Sequence, residues 1–565
     1  MKKLITIMAY IAISFASANA TTYYVNIGLA TGANDGSSWT DAFKSLDAAT
    51  TAANNNAGVD EVYIKGAISY PGSAWTMSVD NYYGSFAGTE SNPTQRPLND
   101  NDGNGITEPW EFLYPTVFTS GNNATAINSS AAILDGFTIT HTGTRDNSMF
   151  TTLISPAGST VQNCVFTGSS ISYTNMAQNN GGCLIKTLGT FKNNLVEKNN
   201  VSVTYSTVDI KIAPILDVPT PTSSVVISGS IFRNNKVTIS NTSGTAVTNL
   251  KGMILNITAN SVVSSVSISD CIVHNNEANY TGGGSNPTAS RASIAGSLNF
   301  SASLTSDVYT NCLFANNKTT NMVSCMHVMQ NTNVVHKGYN NVFWNNQNTV
   351  SSTSVTSAVS MNSSSAQNTS SVFSNNYLDV AKTGSWDPSG TTVWNATTNQ
   401  TNLSKSNTGS NSPLFKKTPM NGTDNIIGSF QSAGTELTAI NEADWRLSSN
   451  TSYLYQKGAA TTITGILKDK ANKDFVTANP SVGAYEYDAS ITTTLKLNDD
   501  LSNIFSTNSN GVISKYEGQI QVISFIGKII QDIKITNGQF IPLSQGAYIL
   551  RFTNNKGVFS QKVVF

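Results

Sequence analysis

The chain has 565 residues, and its 32 Lys and Arg against 33 Asp and Glu leave a formal net charge of -1 with only 12% of residues charged, roughly half the charged share of an ordinary soluble domain. Asn alone supplies roughly one residue in eight, so the polarity comes from amides and hydroxyls instead of ions. So weak a field excludes nucleic-acid binding by phosphate neutralisation and electrostatic docking on an anionic membrane, and a hydrophobic share of 39% excludes a disordered chain.

At the N-terminus, Lys2 and Lys3 precede an apolar run from Leu4 to Phe15, and Ala18-Asn19-Ala20 gives a small-x-small cleavage pattern. This predicts a secretory signal peptide over 1–20 and a mature chain from Thr21, against the alternative of a buried N-terminal helix. No later stretch approaches the roughly 18 uninterrupted apolar residues of a membrane-spanning helix, so no transmembrane helix is expected.

Next comes one complete metal-loop pattern. Asp100-x-Asp102-x-Asn104-Gly105, with Glu111 at the twelfth position, meets the spacing that wraps oxygen ligands around a turn for Ca²⁺. Pro97 and Pro109 leave little room for the two helices of an EF-hand, and Ile106 sits one place early for its apolar position. The stretch therefore reads either as a structural Ca²⁺ site held by Asp100, Asp102, Asn104 and Glu111 or as an Asx-rich turn without metal.

From about residue 130 to 380 the chain repeats itself. Asn163-Cys164-Val165-Phe166, Asn193-Asn194-Leu195-Val196, Gly229-Ser230-Ile231-Phe232, Asp270-Cys271-Ile272-Val273, Asn311-Cys312-Leu313-Phe314, Asn340-Asn341-Val342-Phe343 and Ser370-Ser371-Val372-Phe373 share one phrase, with an earlier copy at Asp135-Gly136-Phe137-Thr138. Most copies close on an Asn soon afterwards, at Asn200, Asn235, Asn276, Asn317, Asn346 and Asn376. Spacings that vary around a constant phrase are those of a solenoid, one coil per unit. The first position accepts residues that tolerate a left-handed backbone, which makes it a tight corner. Period-two alternation then sends the small second residue and the bulky fourth residue into the interior.

Short β-branched runs between frequent turns predict an all-β right-handed parallel β-helix with three short strands per coil. In-register coils lie roughly 4.8 Å apart, so corner Asn side chains can form a ladder along the stack. Phrases such as Gly181-Gly182-Cys183-Leu184-Ile185 supply another strand of the coil.

Chemistry-bearing residues are sparse. Acids between 140 and 400 are scattered singly, Arg145 beside Asp146 reads as a surface ion pair, and Asp270 reads as a corner-ladder member. The four histidines, His141, His274, His327 and His336, lack metal-ligand spacing and read as solvated wall or loop positions. Five cysteines are too few for a disulfide scaffold, and Cys271 and Cys312 read as buried thiols. No catalytic or cofactor-binding residue is assigned.

The chain resembles the right-handed parallel β-helix proteins of pectate-lyase-like fold, specifically exported repeat proteins of Bacteroidota. The resemblance is carried by Tyr23-Tyr24-Val25, Asn34-Asp35-Gly36-Ser37-Ser38-Trp39, Ala42-Phe43, Asp135-Gly136-Phe137-Thr138-Ile139 and Val482-Gly483-Ala484-Tyr485-Glu486-Tyr487, and covers roughly residues 22 to 487. It implies a β-helix domain over 21–487, with a cap over about 21–110 that includes an amphipathic helix from about Asp41 to Ala53, and coils from about 111 to 487. After a linker at 488–494, residues 495–565 carry alternating strands such as Gln521-Val522-Ile523-Ser524-Phe525, then Gly546-Ala547-Tyr548-Ile549-Leu550 and a terminal Lys562-Val563-Val564-Phe565. They resemble the C-terminal sorting β-sandwich of type IX secretion substrates, the alternative being an ordinary Ig-like module.

The resulting expectation is a secreted or cell-surface, non-catalytic protein, adhesin-like or glycan-contacting, whose partners are the type IX secretion machinery and carbohydrate. Trp344 could stack on sugar rings or simply pack. A polysaccharide lyase or glycoside hydrolase of the same fold is the alternative, and a purely architectural surface component a third possibility.

Overall fold

In the computed structural model, residues 20–489 and 505–564 are described, except for 177–182, 206–214, 243–251, 258–263, 283–292, 298–303, 329–334, 350–356, 362–367, 380–396, 460–468 and stretches of at most four residues elsewhere. The predicted signal peptide, up to residue 19, and the linker from 490 lie outside the described residues. Compact packing divides the chain into Met1–Tyr487 and Asp488–Phe565.

The first unit is a parallel solenoid. Each full coil contributes four short strands, not three, as in Thr160–Gln162, Val165–Thr167, Ser170–Met176 and Ile185–Thr187. We call the four resulting stacks walls one to four, in that order. Wall one has eleven parallel strands from Thr22–Val25 to Val372–Ser374, and wall four has nine, ending at Ser357–Met361. Walls two and three belong to one sixteen-stranded sheet, because the single strand Phe137–Asp146 pairs with wall two through Thr138 and with wall three through Thr142.

The extra strand arises from a second corner. Asn163, Asn193, Gly229, Asp270, Asn311 and Asn340 take φ between 50 and 57° between walls one and two, while Gly168, Lys198, Asn234, Asn275, Asn316 and Asn345 repeat the bend between walls two and three. Asn and Gly occupy most of these places because the left-handed conformation costs a branched or bulky residue far more. Two close-set bends leave room for only three residues on wall two.

A continuous ladder is formed by the Asn that follows the second corner, one residue past the left-handed position, instead of by the Asn of the phrase's first position. Asn199 Nδ2 donates to Asn235 Oδ1 at 2.9 Å, Asn235 to Asn276 at 2.9 Å, Asn276 to Asn317 at 3.0 Å and Asn317 to Asn346 at 2.9 Å. The same amides also donate to strand carbonyls of the preceding coil, such as Phe232 O and Val273 O. Groups that the bend leaves unpaired are thereby satisfied in the interior. Two sequence assignments shift here. The closing Asn of that coil is Asn199, not Asn200, which opens the wall-three strand Asn200–Tyr205. Val372–Ser374 belongs to wall one, so the last copy of the phrase is Asn375-Asn376-Tyr377-Leu378, whose Tyr377 pairs with Val342.

Inside the coil, Cys164, Phe166, Phe191, Phe232, Cys271, Cys312, Phe314 and Phe343 form one buried core, with small and bulky residues stacking like on like as the phrase requires. Phe314 and Phe343 lie parallel at 4.9 Å between ring centroids. Helix α1, Leu46–Asn54, is shorter than the expected Asp41–Ala53: Ser45 caps it by accepting the Ala48 N–H, and Phe43 forms a β-bridge with Val25. It lays Ala49 and Ala53 on the core of the first coils.

Wall one already begins at Thr22, and the last stacked strand is Tyr377–Leu378. The coils therefore start earlier and stop earlier than expected. The described residues of 397–487 return across the outside of wall two, where Leu403, Phe415, Trp445, Leu454 and Tyr485 pack on the outward side chains Leu195, Ile231, Ile272, Leu313, Val342 and Trp344.

The second unit is a small β-sandwich. A three-stranded antiparallel sheet, Phe505–Asn508, Gly511–Ser514 and Phe540–Pro542, shares a core with a four-stranded one formed by Gly518–Ser524, Ile529–Ile535, Ala547–Asn554 and Gly557–Val564. Val512 and Ile541 from the first meet Ile520, Val522, Leu550 and Phe552 from the second.

Candidate functional site

The metal-pattern loop is a projection pinned at its base. Leu98 and Phe112 bridge antiparallel, Asn99 N–H donates to Glu111 O at 2.8 Å, and Leu113 N–H donates to Pro97 O at 2.9 Å. The prolines therefore flank a β-bridge in place of EF-hand helices. Gly103 and Gly105, at φ 74 and 79°, bend the chain around Asp100, whose Oδ1 and Oδ2 accept their N–H groups at 2.8 and 3.0 Å. Asp102 Oδ1 accepts Asn104 N–H at 3.1 Å. Glu111 Oε1 accepts the N–H groups of Asn101 and Asp102, and its Oε2 accepts that of Glu108.

These turns bring one oxygen each of Asp100, Asp102 and Glu111 within 4.8 Å of one another. Within the same loop, Asn104 Oδ1 accepts Ile106 N–H and its Nδ2 donates to Glu108 Oε1 at 3.1 Å. Glu108, absent from the sequence reading, is buried against Glu111, and its Oε2 has no hydrogen-bond partner. Burial pushes its carboxyl up to about 8, with Glu111 adding to the rise. Three converging carboxylates are a donor set that suits a hard, oxygen-seeking cation.

The loop is fastened to the solenoid by Arg233. Glu197, Arg233, His274, Ala315 and Trp344 stand in register on successive rungs of wall two, all facing outward. Arg233 donates through Nε to Glu197 Oε2 at 2.9 Å and through Nη1 to Asp102 Oδ2 at 2.8 Å and to Asn441 O at 2.9 Å. Lys198 Nζ completes Glu197 at 2.8 Å. Burial pushes the Glu197 carboxyl up, but Arg233 and Lys198 outweigh it and hold the group below its ordinary value. Burial also raises Asp102, with Arg233 opposing. From the return segment, Lys470 Nζ sits 4.2 Å over the Trp110 ring and donates to Gly229 O at 2.9 Å. Loop, rung and return segment thus share one buried network, in which removing one member strands the others.

Beside this network lies a partly open cavity of about 230 Å³, bounded by Asp102, Trp110, Glu111, Leu195, Arg233 and Asn441 among others. The sequence offers no local signal for it, since its walls come from the loop, four rungs and the return segment.

Other residues move from their expected places. His274 does face outward, but Trp445 covers it at 5.3 Å between ring centroids, and burial pushes its imidazole down to about 3. His141 and His336 are buried, not solvated: Nδ1 of His141 is 3.0 Å from Thr152 Oγ1, and Nδ1 of His336 is 2.7 Å from Asp307 Oδ1. His327 lies in the strand Ser324–Val328. Trp344 is packing and no sugar platform, being fully buried with its Nε1 donating to Ser404 O at 2.8 Å. Asp270 stands at its corner, and burial holds its carboxyl well above the ordinary value. Cys164, Cys183, Cys271 and Cys312 are buried free thiols. Among the described residues no helix is long and apolar enough to cross a membrane.

No protein-family model matches the chain, and no curated protein matches it.

Proposed function

We propose that the chain is an exported, surface-displayed β-helix protein without a catalytic role, which contacts glycans along wall three. The observation that carries this reading is the outward middle column of that wall. Thr144, Ser172, Ser202, Thr238, Asn279 and Thr320 follow one another in strict register, all hydroxyl or amide. Ser202 Oγ donates to Ser172 Oγ at 3.1 Å. In the flanking column, Lys236 and Glu277 pair with each other at 3.4 Å. A rigid row of uncharged donors and acceptors repeating roughly every 4.8 Å suits weak, multiplied contacts to a neutral polymer. The test is retention on insoluble neutral polysaccharides: wild type is retained and a Ser202→Lys, Thr238→Lys double variant is released. Equal retention of the two proteins refutes the reading.

Export by type IX secretion, with 495–565 as the sorting signal, belongs to the same proposal. Deleting those residues traps the protein in the periplasm; unchanged surface display rejects that part. Ca²⁺ held by Asp100, Asp102 and Glu111 is proposed as a structural tie of the loop, supplying positive charge among carboxylates that are otherwise crowded. Calorimetry with Ca²⁺ on wild type and on Asp102→Ala settles it, equal heats ending the idea. The second reading, a polysaccharide lyase or glycoside hydrolase, draws on the cavity that gathers Asp102, Glu111, Glu197 and Arg233. New reducing ends or unsaturated products from pectic or host glycans would put it first.

A further inference from the structure

Wall one buries two carboxylates on its first rungs. Thr21, Asp60 and Asp80 stand in register, one place ahead of the paired residues Thr22, Glu61 and Asn81. Asp60 is 0% exposed and Asp80 1%. Among the described residues neither carboxylate belongs to an ion pair. Their partners are neutral. Asp60 Oδ1 accepts Thr21 N–H at 2.8 Å, and both Asp60 oxygens accept the Asn56 amide at 3.0 Å. Asp80 accepts Asp60 N–H at 3.0 Å through Oδ1 and the Ser78 hydroxyl through Oδ2. Two carboxylates on neighbouring rungs, both out of water, call for a cation beside them.

One atom of this cluster gains a charge if the chain is processed. The residue held against Asp60 is Thr21, which the Ala18-Asn19-Ala20 pattern makes the first residue of the mature chain. Before cleavage its nitrogen is an amide with a single N–H, already used by Asp60. Hydrolysis adds water across the Ala20–Thr21 bond, leaving a carboxylate on the released peptide. The proton of the new acid passes to the Thr21 amine, which is charged near neutral pH. An ammonium offers three donors where the amide had one. Thr21 is already held in place, its carbonyl accepting Glu61 N–H at 2.9 Å and its hydroxyl accepting the Asn56 amide at 2.8 Å. No rearrangement is needed to bring the charge to Asp60, and Ala20 is exposed, so its loss uncovers nothing.

We propose that the α-ammonium of Thr21, created by removal of the leader, is the buried counter-ion of Asp60, and that processing thereby completes the first rung of the solenoid. This rests on the export reading for the cleavage alone and is independent of wall three. A hydrogen bond to a charged donor is roughly twice as strong as one to a neutral donor, and the same cation offsets Asp80 one rung further on. An unprocessed chain keeps a neutral amide at this place, so its first rung is held less firmly during export.

The experiment compares two forms of the mature protein, residues 21–565: one with a free Thr21 amine and one with that amine acetylated, which restores the neutral amide of the precursor. Hydrogen exchange is read at Glu61 and Asn81, whose N–H groups bond to Thr21 O and Asp60 O. It is about tenfold slower in the free-amine protein. In an Asp60→Asn protein acetylation makes no difference, and an amine-reactive ester acylates the Thr21 amine about tenfold faster than in wild type. Equal exchange in the free and acetylated proteins, or a wild-type amine acylated as fast as that of a short unstructured peptide, overturns the proposal. Neither of those comparisons depends on a substitution that could unfold the rung. Sequencing the N-terminus of the exported protein tests the export reading by itself. A chain that retains residue 20 overturns that reading and the processing step with it, whereas a chain that begins at Thr21 and gains nothing from its free amine overturns the ion pair alone.

Discussion

Walls two and three are halves of one sheet, built from the same coils a single bend apart, yet among the described residues the hydrophobic roof lies on wall two alone. The difference lies in which residues alternate outward. On wall two the first outward column reads Leu195, Ile231, Ile272, Leu313 and Val342, and Leu403, Phe415, Trp445, Leu454 and Tyr485 of the return segment lie on it. On wall three the middle outward column reads Ser172, Ser202, Thr238, Asn279 and Thr320, half-buried at most. A parallel stack adds identical positions into stripes, so the choice of side chain at one place in the repeat decides the fate of a whole face. Burying an aliphatic side chain contributes roughly 1.5–3 kcal/mol, whereas a hydroxyl buried without a partner costs about as much. Five rungs multiply either preference.

The contrast can be broken most forcefully at the ion network. Arg233→Ala leaves Glu197 and Asp102 buried without their cation and should lower stability by about 3–5 kcal/mol, read as a drop in the urea midpoint; Glu197→Gln in the same protein should recover part of the loss. Next, Ile272→Ala on the roofed wall should cost about 2–5 kcal/mol, measured by thermal unfolding. Acidification provides the third test. His274 is held neutral, its imidazole pushed down to about 3 by burial, so its contribution to stability is complete above pH 6.5 and declines as the pH falls from there toward 3. Between pH 6.5 and 5 the loss should be about 2 kcal/mol, and a His274→Gln protein should show a flatter pH dependence over that interval. Smallest of all, Ser202→Ala on the open wall should shift stability by no more than about 0.5 kcal/mol. If it matched Ile272→Ala in hydrogen-exchange protection, the outward stripe would not be what separates the two faces.

The coil was readable from the chain because its corners demand unusual backbone. Asn163, Asn193, Asn311 and Asn340 announce a left-handed residue at each repeat, and the Cys or Asn after them has to be small or amide-bearing to fit inside. The second bend was less visible, since Lys198 stands where Asn234, Asn275 and Asn316 stand in later coils; for the same reason the closing Asn of that coil was placed one residue late, at Asn200, and the ladder was expected at the first bend and not at the second. The roof was overlooked although its cause was in plain sight: the aliphatic third position of the phrase points away from the core by simple alternation, and five such residues need a partner. The Asp100–Glu111 spacing located three converging carboxylates but passed over Glu108, which stands at the ninth position, a ligand place whose residue type the pattern leaves open. The cavity could not be seen in advance at all, because Trp110, Leu195, Arg233 and Asn441 become neighbours only through stacking and the returning segment.

That segment also acts as a gauge. It touches the coils one after another, Gln431 at Asn234, Ile426 at Asn275, Gly428 at Asn316, Ala459 at Asn340 and Lys457 at Asn375. Repetitive genes gain and lose units readily, but a unit added between 234 and 375 would push every later contact one storey out of step. The height of the tower is therefore written into a piece of chain that belongs to no storey.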